Sequence, residues 1–218
     1  MEVEGNRGVV TGWPVPPPKT YKMEHGDDVV VPNPAKDARP LAAEPAHGYI
    51  GAPLLPTGDA MTAGVGPGAW TTRADEPDTT FEHKPKLLPL RVASEFDVVE
   101  GDVDPRGLTI YGADGESGGK IVDLWIDMAE TMFRYMEVEV EVAGGTRRVL
   151  VPINFTKVRR DRHEGSRVVV DAVMGEHFAG VPGTRNPDLV TMLEEEKIMG
   201  YFGAGLLYAE PNRTEPLI

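Results

Sequence analysis

The sequence contains no cysteine, which excludes disulfide bonds, thiolate metal sites and cysteine nucleophiles. It also lacks any run of roughly 18 to 20 apolar residues of the kind that crosses a bilayer. The N-terminus shows no charged and then apolar signal region. Taken alone, these absences predict a chain that is soluble when isolated.

Basic residues are scarce relative to acidic ones. The chain has 22 lysines and arginines and 35 aspartates and glutamates, so its formal net charge is −13. Because phosphate binding needs concentrated positive charge, the composition predicts no nucleic-acid partner and suits the capture of protons or cations. With 218 residues, of which 40% are hydrophobic, the chain has enough material for one substantial domain with extensions.

The chain reads as three regions. Half of the 20 prolines fall in residues 1–60, which predicts an extended proline-rich arm. The arm also carries apolar residues, and these predict that it docks on the domain that follows. They are Trp13, Tyr21, Val29, Val30, Val31, Tyr49, Ile50, Leu54 and Leu55. Residues 61–86 read as an ordered loop, and residues 87–218 as a compact β-rich domain.

Two long strands dominate that domain. In 121–128 apolar and other residues alternate, which predicts a half-buried strand with one core face and one acidic face. The first face holds Val122, Leu124, Ile126 and Met128, and the second holds Asp123, Trp125 and Asp127. A similar alternation over 132–142 sets valines and methionines against Glu137, Glu139 and Glu141, with Arg134 interrupting the apolar face.

Turn and helix signals complete the prediction. Ala113-Asp114-Gly115 and Gly144-Gly145 favour tight turns, so the short strands should pair antiparallel in a small barrel or rolled sheet. Near the end, Asn186 is a candidate helix cap and Pro187 a first helical residue, before a helix over about 191–201. The glycines of 200–205 indicate close packing, since they do not follow a strand as dinucleotide-binding loops do.

Asp127, Glu130 and Arg134 lie at or beside the connection between the two long strands. Carboxylates crowded in partly desolvated surroundings resist simultaneous ionisation, so the pKa of at least one of them should rise, although Arg134 opposes that rise. A solvated hairpin with an ordinary ion pair explains the same residues. The local pattern leaves both interpretations open.

Six segments of the chain form a distinctive set, namely PKTY (18–21), PTGDAMTAGVGPGAW (56–70), EGDVDPRGLTIYGADG (100–115), GKIVDLWIDMAETMFRYMEVEV (119–140), HFAGVP (177–182) and LEEEKIMGYFGAGLLYAEP (193–211). Together they resemble the H subunit of the purple-bacterial photosynthetic reaction centre. The resemblance begins at about Gly12 to Pro18 and covers nearly the whole chain in the family's order.

The resemblance implies a mainly β fold, namely a PRC-type antiparallel β-barrel with a short C-terminal helix. It implies an accessory subunit, not an enzyme, that caps the L and M subunits at the cytoplasmic face of the photosynthetic inner membrane. Such a subunit binds no cofactor itself, since bacteriochlorophyll, bacteriopheophytin, quinones and iron belong to the partner subunits. It stabilises the complex and carries protons to the secondary quinone.

The resemblance also implies roles for individual residues. Asp127, Glu130 and Arg134 match the family's D-x-x-E-x-x-x-R pattern near the secondary quinone, with Glu130 as the main relay candidate. Asp123 matches a family acid whose role is relay or structure. Glu82 and His83 stand where some members take up protons, but the second histidine of those members is missing, which weakens both proton entry and a metal site at His83.

Other readings remain. The family's transmembrane helix has no counterpart in this sequence. The basic run 157–167 is interpreted in two ways: as a solvated hairpin, or as a surface that contacts anionic lipid headgroups or a partner protein. A free-standing PRC-barrel adaptor would bind a protein partner without using the carboxylates. A paired-carboxylate hydrolase would use Asp127 and Glu130 as general base and acid.

Overall fold

The computed structural model describes residues 17–24, 26–32, 39–161 and 165–214. The chain divides into two compact units, Met1–Pro40 and Leu41–Ile218. In the first unit, β1 (Lys19–Tyr21) and β2 (Val29–Val31) form an antiparallel pair. Trp13, one of the apolar residues of the predicted arm, lies outside the described residues.

The second unit begins with another small hairpin, β3 (Ala43–Pro45) and β4 (Leu54–Pro56). Its apolar side chains, Tyr49 and Ile50 at the tip and Leu54 and Leu55 in β4, are exposed. The described part of residues 1–60 therefore contains two strand pairs, and the docking of the arm on the barrel stays a prediction. Within the loop region that follows, Gly66–Gly68 form one turn of 3₁₀ helix.

A seven-stranded sheet forms the centre of this unit and confirms the mainly β prediction. Its strands are β5 (Leu87–Pro89), β6 (Thr109–Tyr111), β7 (Ser117–Asp127), β8 (Met132–Val142), β9 (Gly145–Pro152), β10 (Thr156–Asp161) and β11 (Gly165–Val170). Their order is β10-β11-β6-β7-β8-β9, and β5 pairs with the end of β7. Over the described residues the sheet is not closed.

The pairing is antiparallel except between β11 and β6, which run parallel. These two strands are far apart in sequence, so no tight hairpin dictates their relative direction. Both predicted turns are confirmed. Gly144 and Gly145 join β8 to β9 with φ of +97° and +152°, and Gly115 turns the chain between β6 and β7 with φ of +79°.

The prediction that β7 is half-buried is wrong, because both of its faces are covered. Asp123, Trp125 and Asp127, on the face expected to meet solvent, are 6%, 1% and 1% exposed. Contacts on this face come from Arg91, which follows β5 and reaches Asp123, and from the C-terminal helix, whose Glu195 accepts a hydrogen bond from Tyr135, the cross-strand partner of Trp125. Alternation identifies which residues share a face, but it cannot reveal what a distant segment lays over that face.

Arg91 neutralises the acids on this covered face. Asp123 and Glu137 are cross-strand partners in the β7–β8 pair, and Arg91 Nη1 lies 3.0 Å from Asp123 Oδ2 and 2.5 Å from Glu137 Oε2. Arg148 contacts the other Glu137 oxygen at 3.0 Å, and the Trp125 indole donates to Glu137 at 2.8 Å. Two carboxylates that would repel each other are thereby held together by arginine.

The C-terminal helix α1 (Met192–Tyr208) begins close to the predicted start but extends seven residues beyond the predicted end. Thr191 is its cap, in a capping box with Glu194. The predicted cap at Asn186 is wrong, since its side chain accepts from the Asp188 N–H in a local turn before the helix. Among the described residues, no helix has the length and apolar character needed to cross a membrane.

Glycines allow α1 to approach other backbone closely, as the sequence predicted. A Cβ atom on Gly203 would collide with the carbonyl oxygen of Pro67, and one on Gly200 would lie 2.9 Å from that of Gly68. A Cβ on Gly205 would lie 2.5 Å from the carbonyl oxygen of Ala172. The glycine-rich helix therefore follows from packing against the 66–68 turn and the segment after β11.

We expect Arg91→Met to reduce the free energy of unfolding by about 3 kcal/mol, because it leaves buried carboxylates without their shared cation. Arg106→Met is the matched control. Arg106 is about as exposed as Arg91, but its partners Asp97 and Asp104 lie at the surface. Urea unfolding should show a much larger loss for Arg91→Met, and equal losses would contradict a buried ionic network.

We expect Gly203→Ala to destabilise the fold by about 1 to 3 kcal/mol through overpacking against Pro67. In an unobstructed helix the same change would stabilise by up to about 1 kcal/mol, so the sign of the effect is informative. Gly183→Ala is the control, because its Cβ would meet only Arg147 Nη1 at 3.4 Å. Thermal unfolding would refute the close approach if Gly203→Ala raised the melting temperature.

Candidate functional site

The connection between β7 and β8 fixes Asp127 at its base. Asp127 Oδ1 accepts hydrogen bonds from the backbone N–H groups of Ala129 at 2.9 Å and Glu130 at 3.1 Å. The Thr131 N–H donates to the Asp127 carbonyl at 2.7 Å, and Thr131 has a left-handed φ of +53°. A β-branched residue is strained in that region, so the surrounding contacts hold the turn in one conformation.

Two cations approach the other oxygen of Asp127. Arg134 Nε lies 3.3 Å from Asp127 Oδ2, and Lys86 Nζ lies 3.7 Å from it. Arg134 also reaches Glu130, with Nη2 at 2.7 Å from Glu130 Oε2. The structure therefore brings together Asp127, Glu130 and Arg134, as the sequence predicted, and adds Lys86.

Opposing effects set the pKa of Asp127. Burial does raise the pKa of Asp127, but the N–H groups of Glu130 and Ala129, the charge of Lys86 and the hydrogen bond from Arg134 outweigh it. The pKa of Asp127 is consequently lowered from its ordinary value. Asp127 is therefore not the acid of the cluster for which a raised pKa was expected, because each of these groups favours the ionised form.

A polar cleft of about 470 Å³ opens beside this turn and reaches α1. Its wall contains Asp127, Arg134, Lys86, Tyr135 and Glu195. The Tyr135 hydroxyl donates to Glu195 Oε2 at 2.8 Å. Burial raises the pKa of Glu195 although the Tyr135 hydrogen bond opposes the rise, and burial together with the Glu195 charge raises the pKa of Tyr135. The carboxyl with a raised pKa is thus on the helix.

The four predicted relay residues occupy different surroundings. Asp127 is buried at the wall of the cleft, whereas the Glu130 side chain is 52% exposed and meets the site through Arg134. Asp123 lies in the Arg91 network and does not line the cleft. The geometry makes Asp127, not Glu130, the best-connected acid of the group.

The candidate entry residues Glu82 and His83 lie in an exposed loop that returns to the cleft at Lys86. The Thr80 N–H donates to the Lys84 carbonyl, and His83 has a left-handed φ of +61°. A hydrogen bond from Lys84 lowers the pKa of Glu82. Within the described part of the chain, no group of three or more histidine, aspartate or glutamate side chains could hold a metal ion.

The sequence indicated no role for Arg91 or for Glu137. For Glu195, one of three successive acids typical of a solvated helix face, it indicated only a weak role in proton uptake. Glu137 could have been found, because the alternation in β8 places it on the same face as Tyr135. Arg91 lies 46 residues before its partner Glu137 in the sequence, and Glu195 lies 60 residues after its partner Tyr135. No local pattern signals either contact.

Two family models match the chain. The model described as the photosynthetic reaction centre, H-chain N-terminal region, matches residues 2–92, and the PRC-barrel domain model matches residues 97–176. The second match contains β6 to β11, so these six strands of the sheet belong to the PRC-barrel domain. The chain is an H-subunit-like protein, with the N-terminal region of photosynthetic reaction-centre H chains followed by a PRC-barrel domain.

Proposed function

We propose that this chain stabilises the L and M subunits of a photosynthetic reaction centre and conducts protons from the cytoplasm to the secondary quinone. The family match supports association with a reaction-centre complex. The observation that carries the proton-conducting role is the polar cleft, where buried Asp127 and partly buried Glu195 line one space of about 470 Å³ with Lys86 and Arg134. Chains of water and carboxylates in such a space can transfer protons.

In this proposal the exposed loop at Glu82 and His83 collects protons, and the cleft beside Lys86 passes them inward. Lys86 contacts Asp78 at 3.5 Å and Asp127 at 3.7 Å, so it joins the loop to the buried acid. Asp127 stays ionised because its pKa is lowered, and it therefore attracts protons electrostatically and does not retain them. Glu130 and Arg134 lie at the exposed side of the turn, where they would meet a partner subunit.

Glu195 has the complementary role in the proposal. Its pKa is raised by burial, which brings it nearer the range in which a carboxyl can both bind and release a proton. Tyr135 fixes the orientation of its carboxyl through the 2.8 Å hydrogen bond. One acid thus attracts a proton, and another holds it briefly.

A PRC-barrel adaptor is the second candidate, and the exposed apolar residues of the β3–β4 hairpin favour it. Such a protein would bind a partner without using the acids of the cleft. Loss of carboxyl charge in the cleft would then leave its function intact, so the variants described next discriminate between the two roles.

We expect Asp127→Asn and Glu130→Gln to slow the proton-coupled second reduction of the secondary quinone roughly tenfold in the assembled reaction centre. Asp127→Asn should have the larger effect, since Asp127 lines the cleft. Glu141→Gln, a change at an exposed acid of β8, is the control and should leave the rate unchanged. Flash-induced absorbance changes measure this rate. Unchanged rates for both variants across pH would refute the relay while leaving the subunit assignment standing.

Glu195 and Asp127 should contribute to stability with opposite dependence on pH. Glu195 binds its proton more tightly in the folded state, so its contribution is complete below its ordinary pKa of 4.5 and is lost as pH rises through the raised value. Asp127 contributes above its ordinary pKa of 3.8, and this contribution is lost as pH falls through the lowered value.

Urea unfolding of the isolated chain over a series of pH values tests this expectation. As pH rises above about 4.5, the stability of the unmodified chain should fall relative to Glu195→Gln. Relative to Asp127→Asn it should rise with pH in the range below about 3.8. Equal slopes for the two variants would contradict the assignment of the raised pKa to Glu195.

A further inference from the structure

A second cleft, the apolar cleft, is lined mainly by apolar side chains and lies beside the β7–β8 turn, where it shares Met132, Phe133 and Ile153 with the wall of the polar one. Its volume is about 830 Å³, within the range of small-molecule binding sites. The sheet residues Leu124, Ile126 and Met136, each no more than 3% exposed, form part of its wall. The cleft therefore reaches the hydrophobic core, which a shallow surface patch does not.

The remaining apolar wall comes from flexible or exposed side chains. Val158 and Met132 line the cleft and are 44% and 46% exposed, and Phe96 and Val98 line it from the segment before β6. Methionine is unbranched and adapts to ligands of irregular shape. A lining of this kind fits a flexible hydrocarbon chain better than a rigid, hydrogen-bonding ligand.

Charge at the rim is supplied by Arg160, Asp97 and Asp102. Asp97 is already neutralised, since Arg106 Nη2 lies 2.5 Å from its Oδ1. Arg160 makes no ion pair with the residues that the structure describes, whereas Lys157 on the same strand is paired with Asp171. Asp102 is the one opposing charge among the rim residues, so an anionic group would bind on the Arg160 side.

The strand geometry links the cation to the apolar wall. Side chains two residues apart on a strand share a face, and Val158 and Arg160 both line the cleft while Arg159 between them does not. The β10–β11 hairpin adds Arg159 and Arg167 to a locally basic region in a chain of net charge −13. Charge and apolar surface therefore occur together at this site.

From this combination we infer that the apolar cleft binds a single acyl chain with an anionic head group, the chain lying against Leu124 and Met136 and the head group at Arg160. The ligand class is a free fatty acid or a single-chain anionic lipid. This site is independent of the proposed proton relay, because the acids of the relay do not line it.

Laurate, titrated below its micellar concentration into the full chain labelled with ¹³C at the methionine methyl groups, tests the inference. We expect the Met132 and Met136 methyl signals to shift, whereas those of Met61 and Met174, which lie elsewhere in the core, should not. Val158→Trp should fill the cleft and abolish binding. Val92→Trp is the matched control, since Val92 is 48% exposed and does not line the cleft.

The role of Arg160 is tested by comparing laurate with dodecanol. Arg160→Gln should weaken laurate binding about two- to fivefold at low salt and leave dodecanol binding unchanged. Arg159→Gln, on the opposite face of the same strand, should change neither affinity. Equal effects of the two arginine variants, or no preference for laurate over dodecanol, would overturn the inference.

Vesicles of phosphatidylcholine that contain the single-chain anionic lipid lysophosphatidylglycerol distinguish the source of the anionic chain. Extraction of lipid from the vesicles with shifts of the Met132 and Met136 methyl signals would support a lipid ligand, and shifts with laurate alone would support a free fatty acid. If the protein bound vesicles without those shifts, and if Arg159→Gln and Arg160→Gln weakened the binding equally, the inference would be overturned. The basic hairpin would then bind the anionic vesicle surface without a ligand in the cleft. Absence of binding in every arm would overturn it in favour of a protein partner.

Discussion

Neutralisation of buried carboxylates is the constraint on which the second unit of this protein depends. The β7–β8 pair carries Asp123, Asp127 and Glu137 into its covered face, and an isolated buried carboxylate is costly. Arg91 and Arg148 meet the acids at one end of the pair, and Lys86 and Arg134 meet Asp127 at the other. The segments that cover the hairpin therefore have to deliver cations as well as apolar surface.

The two groups of acids differ in their access to water, and this difference separates structure from proposed function. Arg91 and Arg148 fix both oxygens of Glu137, and the Trp125 indole adds a third partner. Such a set is satisfied and rigid. Asp127 instead borders an open polar cleft with Glu195 opposite its hairpin. Water can enter there, and the opposite pKa shifts of Asp127 and Glu195 give a proton an attracting group and a holding group.

Sequence reasoning predicted what is local and missed what is long-range. Alternation identified β7 and β8, and glycines identified the turn before β7 and the turn after β8. The spacing of Asp127, Glu130 and Arg134 identified their cluster. A raised pKa was predicted for at least one acid of the cluster, and Asp127 is not that acid, because two backbone N–H groups of the turn and Lys86 outweigh the effect of its burial on its pKa. Burial of the acidic face depends on contacts with Arg91 and α1. These contacts cannot be predicted from the alternation of residues in β7 and β8.

The extent of α1 was missed for a related physical reason. Glycine disfavours a helix by about 1 kcal/mol relative to alanine, so the glycines at 200, 203 and 205 argue locally for a helix that ends early.

Packing reverses that preference. Only glycine lets the helix lie against the carbonyl oxygens of Pro67, Gly68 and Ala172. The same packing holds the 66–68 turn against the helix that carries Glu195. The position of Glu195 beside Tyr135 therefore depends on the glycines of this helix. Placement of the proposed proton-holding group is therefore a consequence of close backbone contact as much as of charge.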